Sequence, residues 1–427
     1  AIGLGNIWVF PTQTASNGGG AFVMVYFILA FCLAYPALMA ELIIGRHAKS
    51  NIVTALQGIS TNKLTYFIGS GVGIWGVITA SLILAFYAIV AGWMLTYLFE
   101  SITEILNWKA ASQWLTTFGI ERNIISMGVF MLLTMAIIAK GVDSGIEKWS
   151  SRLMPMLLTI LIGLIIYVMT QDGATEGLKL YLIPDFNHIT PSLILNAMGQ
   201  AFFSLSLGVG TMLIYGSYLS KQESLPKLGA MVTLVDSSIA FIAGLLIIPA
   251  IFVAQKNGVT VFDDKGLLIA GPDLIFQVLP SLFDSMGSIG GFVAFAFFSL
   301  MAIAAVTSSI SMLEVPVSFI TESTSATRHQ STAITGVIIF ALSTLILLNF
   351  DLLFGFVIEL TTVYSQPLLA VMLCVFVGWV WHRDNLLKEI KEGQADVEQT
   401  LFWKIWPNYV RFICPLLILA TFLQSVI

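Results

Sequence analysis

Apolar residues run nearly unbroken along this chain, and the gaps between the runs mark its elements. Long hydrophobic stretches cover about 1–16, 20–45, 66–99, 122–139, 145–170, 192–218, 229–255, 286–321, 331–350, 353–381 and 403–427. A helix needs about 20 largely apolar residues to cross the hydrocarbon core of a bilayer. The pattern therefore predicts an all-α integral membrane protein with about eleven transmembrane helices. The first run is already under way at Ala1, so the start of its helix is expected upstream, truncated in this sequence. The runs at 66–99 and 286–321 exceed the minimum length, as tilted or protruding helices do. Residues 100–121, 171–191 and 256–285 form longer polar connections. Within the last, PDLIFQVLPSLF (272–283) predicts a short amphipathic helix lying over the protein as a lid.

Composition strengthens the membrane assignment. Of the 427 residues 57% are hydrophobic and 10% charged, where a soluble domain carries about 25% charged residues. The net charge of −5 rests on few charges, and no basic stretch points to nucleic acid. Twelve Lys and Arg residues, from Arg46 and Lys49 to Lys388 and Lys391, fall in alternate connections, against five (Lys109, Arg122, Lys179, Lys256, Lys265) in the others. The positive-inside rule makes the first set cytoplasmic, in a multi-pass protein of the cell's inner (plasma) membrane. Cys32, Cys374 and Cys414 sit in apolar runs without metal-ligand spacing and read as small core hydrophobes. His47, His188, His329 and His382 lie in or beside connections, which argues against a histidine relay or metal site at bilayer depth.

A few polar residues interrupt the runs, and these carry the candidate chemistry. AIGLGNIWVFP (1–11) holds Gly3, Gly5 and Asn6; FFSLSLGVG (202–210) holds Ser204, Ser206, Gly208 and Gly210; AAVTSSISMLE (304–314) holds Thr307, Ser308, Ser309, Ser311 and Glu314. Asp236, Glu41 and Glu359 are isolated acids in the seventh, second and tenth runs. Glycines in membrane helices also serve close packing, and Ser or Thr hydroxyls also bond carbonyls four residues back. An intramembrane carboxylate, in contrast, is a functional candidate by default. Two glycine-interrupted runs five spans apart fit a five-plus-five inverted repeat, an architecture best known from the family named below. Unwound backbone must line an enclosed cavity, where free carbonyls suit a hard cation and half-helix N-termini suit a carboxylate. No paired acid and histidine lie at depth, which argues against an enzyme, and the scattered acids form no ring of the kind a channel uses.

AIGLGNIWVFP, NGGGAF (17–22), GQAFFSLSLGVG (199–210) and AAVTSSIS (304–311) resemble, in order, the neurotransmitter:sodium symporter family in its bacterial amino-acid branch. Gly45-Arg46 at the end of the second run, Tyr87 and Trp93 in the third, and Gly145 with Pro155 in the fifth extend the match. The resemblance implies a single transporter domain over 1–427, with one repeat in 1–170, a second in 192–381 and an additional helix at 400–427. The first and sixth helices would be unwound at mid-membrane. It implies Na⁺ and an amino acid as cargo, in a monomer or homodimer.

Site residues follow from the same resemblance. One sodium would take the Ala1 carbonyl, the Asn6 amide oxygen, Ser204, Asp236 and the substrate's own carboxylate. A second would take the Ile2 and Ala304 carbonyls with Thr307 and Ser308. The substrate carboxylate would meet the Leu4 and Gly5 amides and the Tyr87 hydroxyl, and its amino group the carbonyls near Ala1, Phe203 and Ser206. Ile83, Tyr87, Phe203, Ser206, Val209, Ser308 and Met312 would line the side-chain pocket. Monoamine-transporting members carry an aspartate where Gly3 stands, so the carboxylate is expected to come from an amino acid. The small Val209 leaves room for a large apolar or aromatic side chain. Animal members hold chloride among residues matching Tyr26, Gln200 and Ser204, and Asp236 would supply that negative charge covalently, making transport chloride-independent. The outer-gate ion pair of the family is missing, since Val9 and Gly355 stand in its places; Tyr218 and Glu322 match inner-gate positions. The alternatives are a same-fold sodium symporter for another small solute, or a non-transporting amino-acid sensor.

Overall fold

The computed structural model describes residues 2–261 and 274–426. Ala1 and the first two residues of the 272–283 stretch lie outside the described residues. Among the described residues, eight helices are long and apolar enough to cross a membrane: α2 (Gly20–Ala48), α3 (Lys63–Ile105), α4 (Ile120–Ile138), α5 (Val142–Met169), α8 (Leu225–Lys256), α9 (Gly287–Ser323), α10 (Arg328–Leu348) and α11 (Phe350–Val380). Each overlaps a run read from hydropathy alone. The other three runs are helical in pieces. A wide, π-type turn at Gly5–Val9 leads into α1 (Phe10–Ser16). The sixth run is split into α6 (Pro191–Ser204) and α7 (Thr211–Tyr218). The last is helical through Leu401–Asn408, Tyr409–Ile413 and α12 (Cys414–Val426).

Local chemistry sets several of the ends. Asn62 and Thr65 form a reciprocal capping box at the start of α3, and Thr327 and Gln330 do the same for α10. Thr190 caps α6, whose first residue is Pro191, with the ring's fixed φ suited to that position. Small residues then let the helices close up. A side chain at Gly45 of α2 would start 1.8 Å from the Leu213 carbonyl of α7, and one at Gly216 2.6 Å from the Leu42 carbonyl. These two helices consequently pack backbone to backbone, while α3 and α9 make the most extensive pairing of all.

The connections carry structure that periodicity did not reveal. Short helices occupy Lys109–Thr116, Ala174–Leu182 and Arg383–Lys391. The expected surface lid is helical over Leu274–Val278 and Leu279–Ser285, but it sinks into the protein rather than lying on it. Phe276 packs edge-on against Trp93, and its carbonyl accepts the Tyr97 hydroxyl at 3.0 Å. Phe283 packs at a tilt against Phe297 and edge-on against Phe298 of α9.

Candidate functional site

The split between α6 and α7 is where backbone meets side chains from all over the chain. Leu205–Gly210 is non-helical, with positive φ at Ser206 (53°), Gly208 (82°) and Gly210 (79°). Three such residues in alternation cannot continue a right-handed helix. The freed backbone is caught by polar groups buried at 1–2% exposure. Glu41 of α2 accepts the Gly208 N–H at 2.6 Å, and Gln366 of α11 donates to the Leu207 carbonyl at 3.1 Å. The sequence marks Glu41 as an isolated acid without a partner, and Gln366 is not singled out by it. The signal for Gln366 was an amide inside an apolar run, which demands a partner. Its own Oε1, like the second oxygen of Glu41, is buried without a hydrogen bond.

Beside this split, Asn6, Ser204 and Asp236 converge, all nearly or fully buried. The Asn6 amide nitrogen donates to Ser204 Oγ (2.9 Å), Asp236 Oδ1 (2.9 Å) and the Asp236 carbonyl (3.0 Å). Ser204 donates to Asp236 Oδ2 at 2.7 Å. Gln200 donates to the Gly5 carbonyl at 2.7 Å, tying α6 to the opening of the chain. Asp236 has neutral donors around it and, among the described residues, no side-chain ion pair. A buried carboxylate without a counter-charge is costly, so the cluster suits a small cation. The Asn6 oxygen accepts the Gly3 N–H at 2.9 Å instead of facing Asp236, opposite to the expected sodium ligation. A half-turn of this amide exchanges two ends of nearly equal shape. The Tyr26 hydroxyl, buried without a hydrogen bond, neighbours Asp236, Ser204 and Ser237.

A second oxygen-rich cluster joins the chain start to α9. Thr307 Oγ1 lies 3.2 Å from the Ile2 carbonyl, 3.1 Å from Ile303 and 3.0 Å from Ala304. Three carbonyls around one hydroxyl proton leave acceptors to spare, the surplus a hard cation uses. Gly3 fits here because it has no side chain: a Cβ would fall 1.6 Å from Ser308 Oγ.

The substrate residues divide into two groups. Leu4, Tyr87 and Phe203 line a cavity of about 400 Å³, together with Trp8, Val9, Gln13, Phe86, Asn196, Gln200, Phe354 and Ile358 among others. Ile83, Ser206, Val209, Ser308 and Met312 do not line it; Ile83, Val209 and Met312 are buried. The Tyr87 hydroxyl is buried near Ser308 and the Leu4 backbone, with hydrogen-bond geometry to neither. At the gate positions, Val9 lines the cavity while Gly355 faces open space, and Glu359 accepts the Tyr364 hydroxyl at 3.1 Å. Tyr218 donates to Glu314 at 2.5 Å, and Arg328 also pairs with Glu314. Glu322 instead accepts the Asn51 N–H and side-chain amide, each at 2.7 Å.

Comparison with known proteins now gives these clusters a context. The chain matches the model of the "Sodium:neurotransmitter symporter family" over residues 1–126 and 118–427. It is 34% identical to YhdH, an uncharacterized sodium-dependent transporter of Bacillus subtilis, over all of this chain and 94% of that protein. An uncharacterized sodium-dependent transporter of Haemophilus influenzae is 32% identical, over 99% of this chain and 94% of its own length. The crystal structure of MhsT in complex with L-phenylalanine superposes with a TM-score of 0.84, at 35% identity over all of this chain and 96% of that one. The chain belongs to the sodium:neurotransmitter symporter family, as a multi-pass membrane protein of sodium-coupled transport rather than an enzyme.

Proposed function

We propose that this protein imports a hydrophobic or aromatic amino acid with sodium, by alternating access and without chloride. The observation that carries the reading is the buried Asn6–Ser204–Asp236 cluster at the α6–α7 split, whose acid has no side-chain ion pair among the described residues. Sodium there, touching the carboxylate of the solute, would make each ligand part of the other's site. Gly3 supports an amino acid as the solute: an acid at that position, for holding an amine, would collide with Ser308. The apolar cavity lined by Leu4, Tyr87 and Phe203, and the L-phenylalanine held by the similar MhsT, favour a large apolar side chain. Ala1, Ile2, Asn6, Ser204, Asp236, Ala304, Thr307 and Ser308 are the proposed sodium ligands. Leu4, Gly5, Ile83, Tyr87, Phe203, Ser206, Val209 and Met312, with Ala1 and Ser308, are the proposed substrate contacts.

Chloride independence is read from Asp236, whose carboxylate sits beside Tyr26 and Ser204 and supplies a fixed negative charge. Residues 1–170 and 192–381 would form the two inverted repeats, with 400–427 as an additional helix in the plasma membrane. Uptake of labelled L-phenylalanine into proteoliposomes tests the reading. Accumulation should follow an inward sodium gradient, vanish with potassium, and persist when gluconate replaces chloride. Sodium-dependent binding without uptake would instead identify a sensor, and uptake of other solutes in preference to every amino acid would identify a different cargo.

A further inference from the structure

Arg122 stands in the first turn of α4 and is 2% exposed. One terminal nitrogen donates to Thr96 Oγ1 of α3 at 2.9 Å, but Nε and Nη1 are buried and have no hydrogen-bond partner. Phe118 lies 4.4 Å from the guanidinium carbon, and its ring face steadies the cation without accepting these N–H groups in regular hydrogen bonds. Among the described residues no carboxylate forms an ion pair with Arg122, and the adjacent Glu121 is exposed. A buried cation left in this condition is costly, which points to an anionic partner from outside the chain.

The shape of the surroundings narrows that partner. Arg122 lines a cavity of about 140 Å³ bounded by α3, α4 and the short helix Lys109–Thr116. Its other walls include Phe99, Trp114 and Val129, which are 48–49% exposed. Further along α4, Leu132 is 65% exposed. Arg122 therefore lines an apolar groove on two membrane-crossing helices from the first turn of α4, with its guanidinium nitrogens buried behind the apolar wall. The end of a membrane-crossing helix is where a phosphate sits above its acyl chains.

We propose that this groove binds a membrane phospholipid, whose phosphate accepts hydrogen bonds from the free N–H groups of Arg122 while an acyl chain lies along Val129 and Leu132. A free small anion would satisfy the guanidinium but leave the apolar groove unused. The test is thermal unfolding of purified, delipidated protein in neutral detergent with three additives: dioleoylphosphatidylglycerol, dioleoylglycerol and sodium phosphate. A ligand that binds only the native state raises the unfolding midpoint. The phospholipid should raise it by a few degrees beyond either of the others. Arg122→Gln should lose that excess and Arg122→Lys should keep part of it. An equal shift from sodium phosphate would overturn the lipid, and an equal shift from dioleoylglycerol would overturn the headgroup. An undiminished excess in Arg122→Gln would overturn the residue. If that variant does not fold, the three additives on the unsubstituted protein still decide.

Discussion

At the scale of single residues, Asp236 concentrates the energetics of the site. Its two carboxylate oxygens accept one hydrogen bond each, from Asn6 and Ser204, yet no positive charge reaches it from the described side chains. Neutral hydrogen bonds offset part of the desolvation of an anion, and an opposite charge offsets more. Bound sodium would complete the balance, so removing the acid should weaken sodium directly. For Asp236→Asn we expect the sodium concentration for half-maximal uptake to rise at least tenfold, about 1.4 kcal/mol. Asp236→Ser, which leaves a small cavity beside Tyr26 and Ser204, should make uptake rise with added chloride, because a mobile anion can then replace the fixed one. Uptake by the unsubstituted protein that needs chloride, measured with gluconate as the replacement anion, contradicts this account. Asp236 was legible in the sequence because an acid in an apolar run has few structural uses. The orientation of the Asn6 amide was not, since spacing says nothing of which end of an amide faces a neighbour.

At the scale of elements, the α6–α7 split is held open by parts far apart in sequence. Ser206, Gly208 and Gly210 announce the break locally, and the glycines made it legible. Its supports were hidden: Glu41 and Gln366 lie 167 and 159 residues from their backbone partners. Gly208 has a φ of 82°, and a side chain there would start 2.3 Å from the Gln366 carbonyl. Gly208→Ala should therefore lose about 2 kcal/mol or more from strain and overlap together, read as a lower unfolding midpoint and impaired uptake. Normal stability and uptake would show that the split relaxes freely. The short Arg383–Lys391 helix was also illegible, being too brief for periodicity to stand out, yet it clamps the end of α2. Glu389, 4% exposed, pairs with Arg46 at 2.8 Å and His47 at 3.1 Å, and Arg46 reaches the Glu223 and Glu389 carbonyls as well. Burial pushes the Glu389 carboxyl up, but the hydrogen bonds and charges of His47 and Arg46 outweigh it and hold it below the usual range. A depressed value means the stabilisation is complete above the ordinary carboxylate value of about 4 and is lost as pH falls through the lower one. Glu389→Gln should thus cost about 3 kcal/mol at pH 7, and its unfolding midpoint should converge on that of the unsubstituted protein in acid. A gap that stays constant with pH contradicts the charge-based clamp.

At the scale of the whole molecule, hydropathy located the membrane helices because the bilayer punishes any polar departure within a span. It could not give the packing, which depends on contacts such as Gly45 on Leu213 that leave no periodic mark. What the packing achieves is to bring the chain start, α6, α8 and α9 together around two oxygen-rich clusters, with an apolar cavity lined in part by Leu4, Tyr87 and Phe203. If sodium and solute touch there, their affinities are linked, and the linkage must be reciprocal. Coupling of about 1–3 kcal/mol corresponds to a 5- to 150-fold change in affinity. Replacing potassium by sodium should therefore tighten L-phenylalanine by some factor in that range, and saturating L-phenylalanine should tighten sodium by the same factor. Both can be read from unfolding midpoints titrated with each ligand at fixed concentrations of the other, since stabilisation grows with ligand concentration over Kd. Asp236→Asn should shrink both factors together, because one shared contact carries them. Unequal factors would mean that the titrations are not at equilibrium. Equal factors near one would mean that the solute binds apart from sodium, and the clusters at Asn6 and Thr307 would then need another explanation.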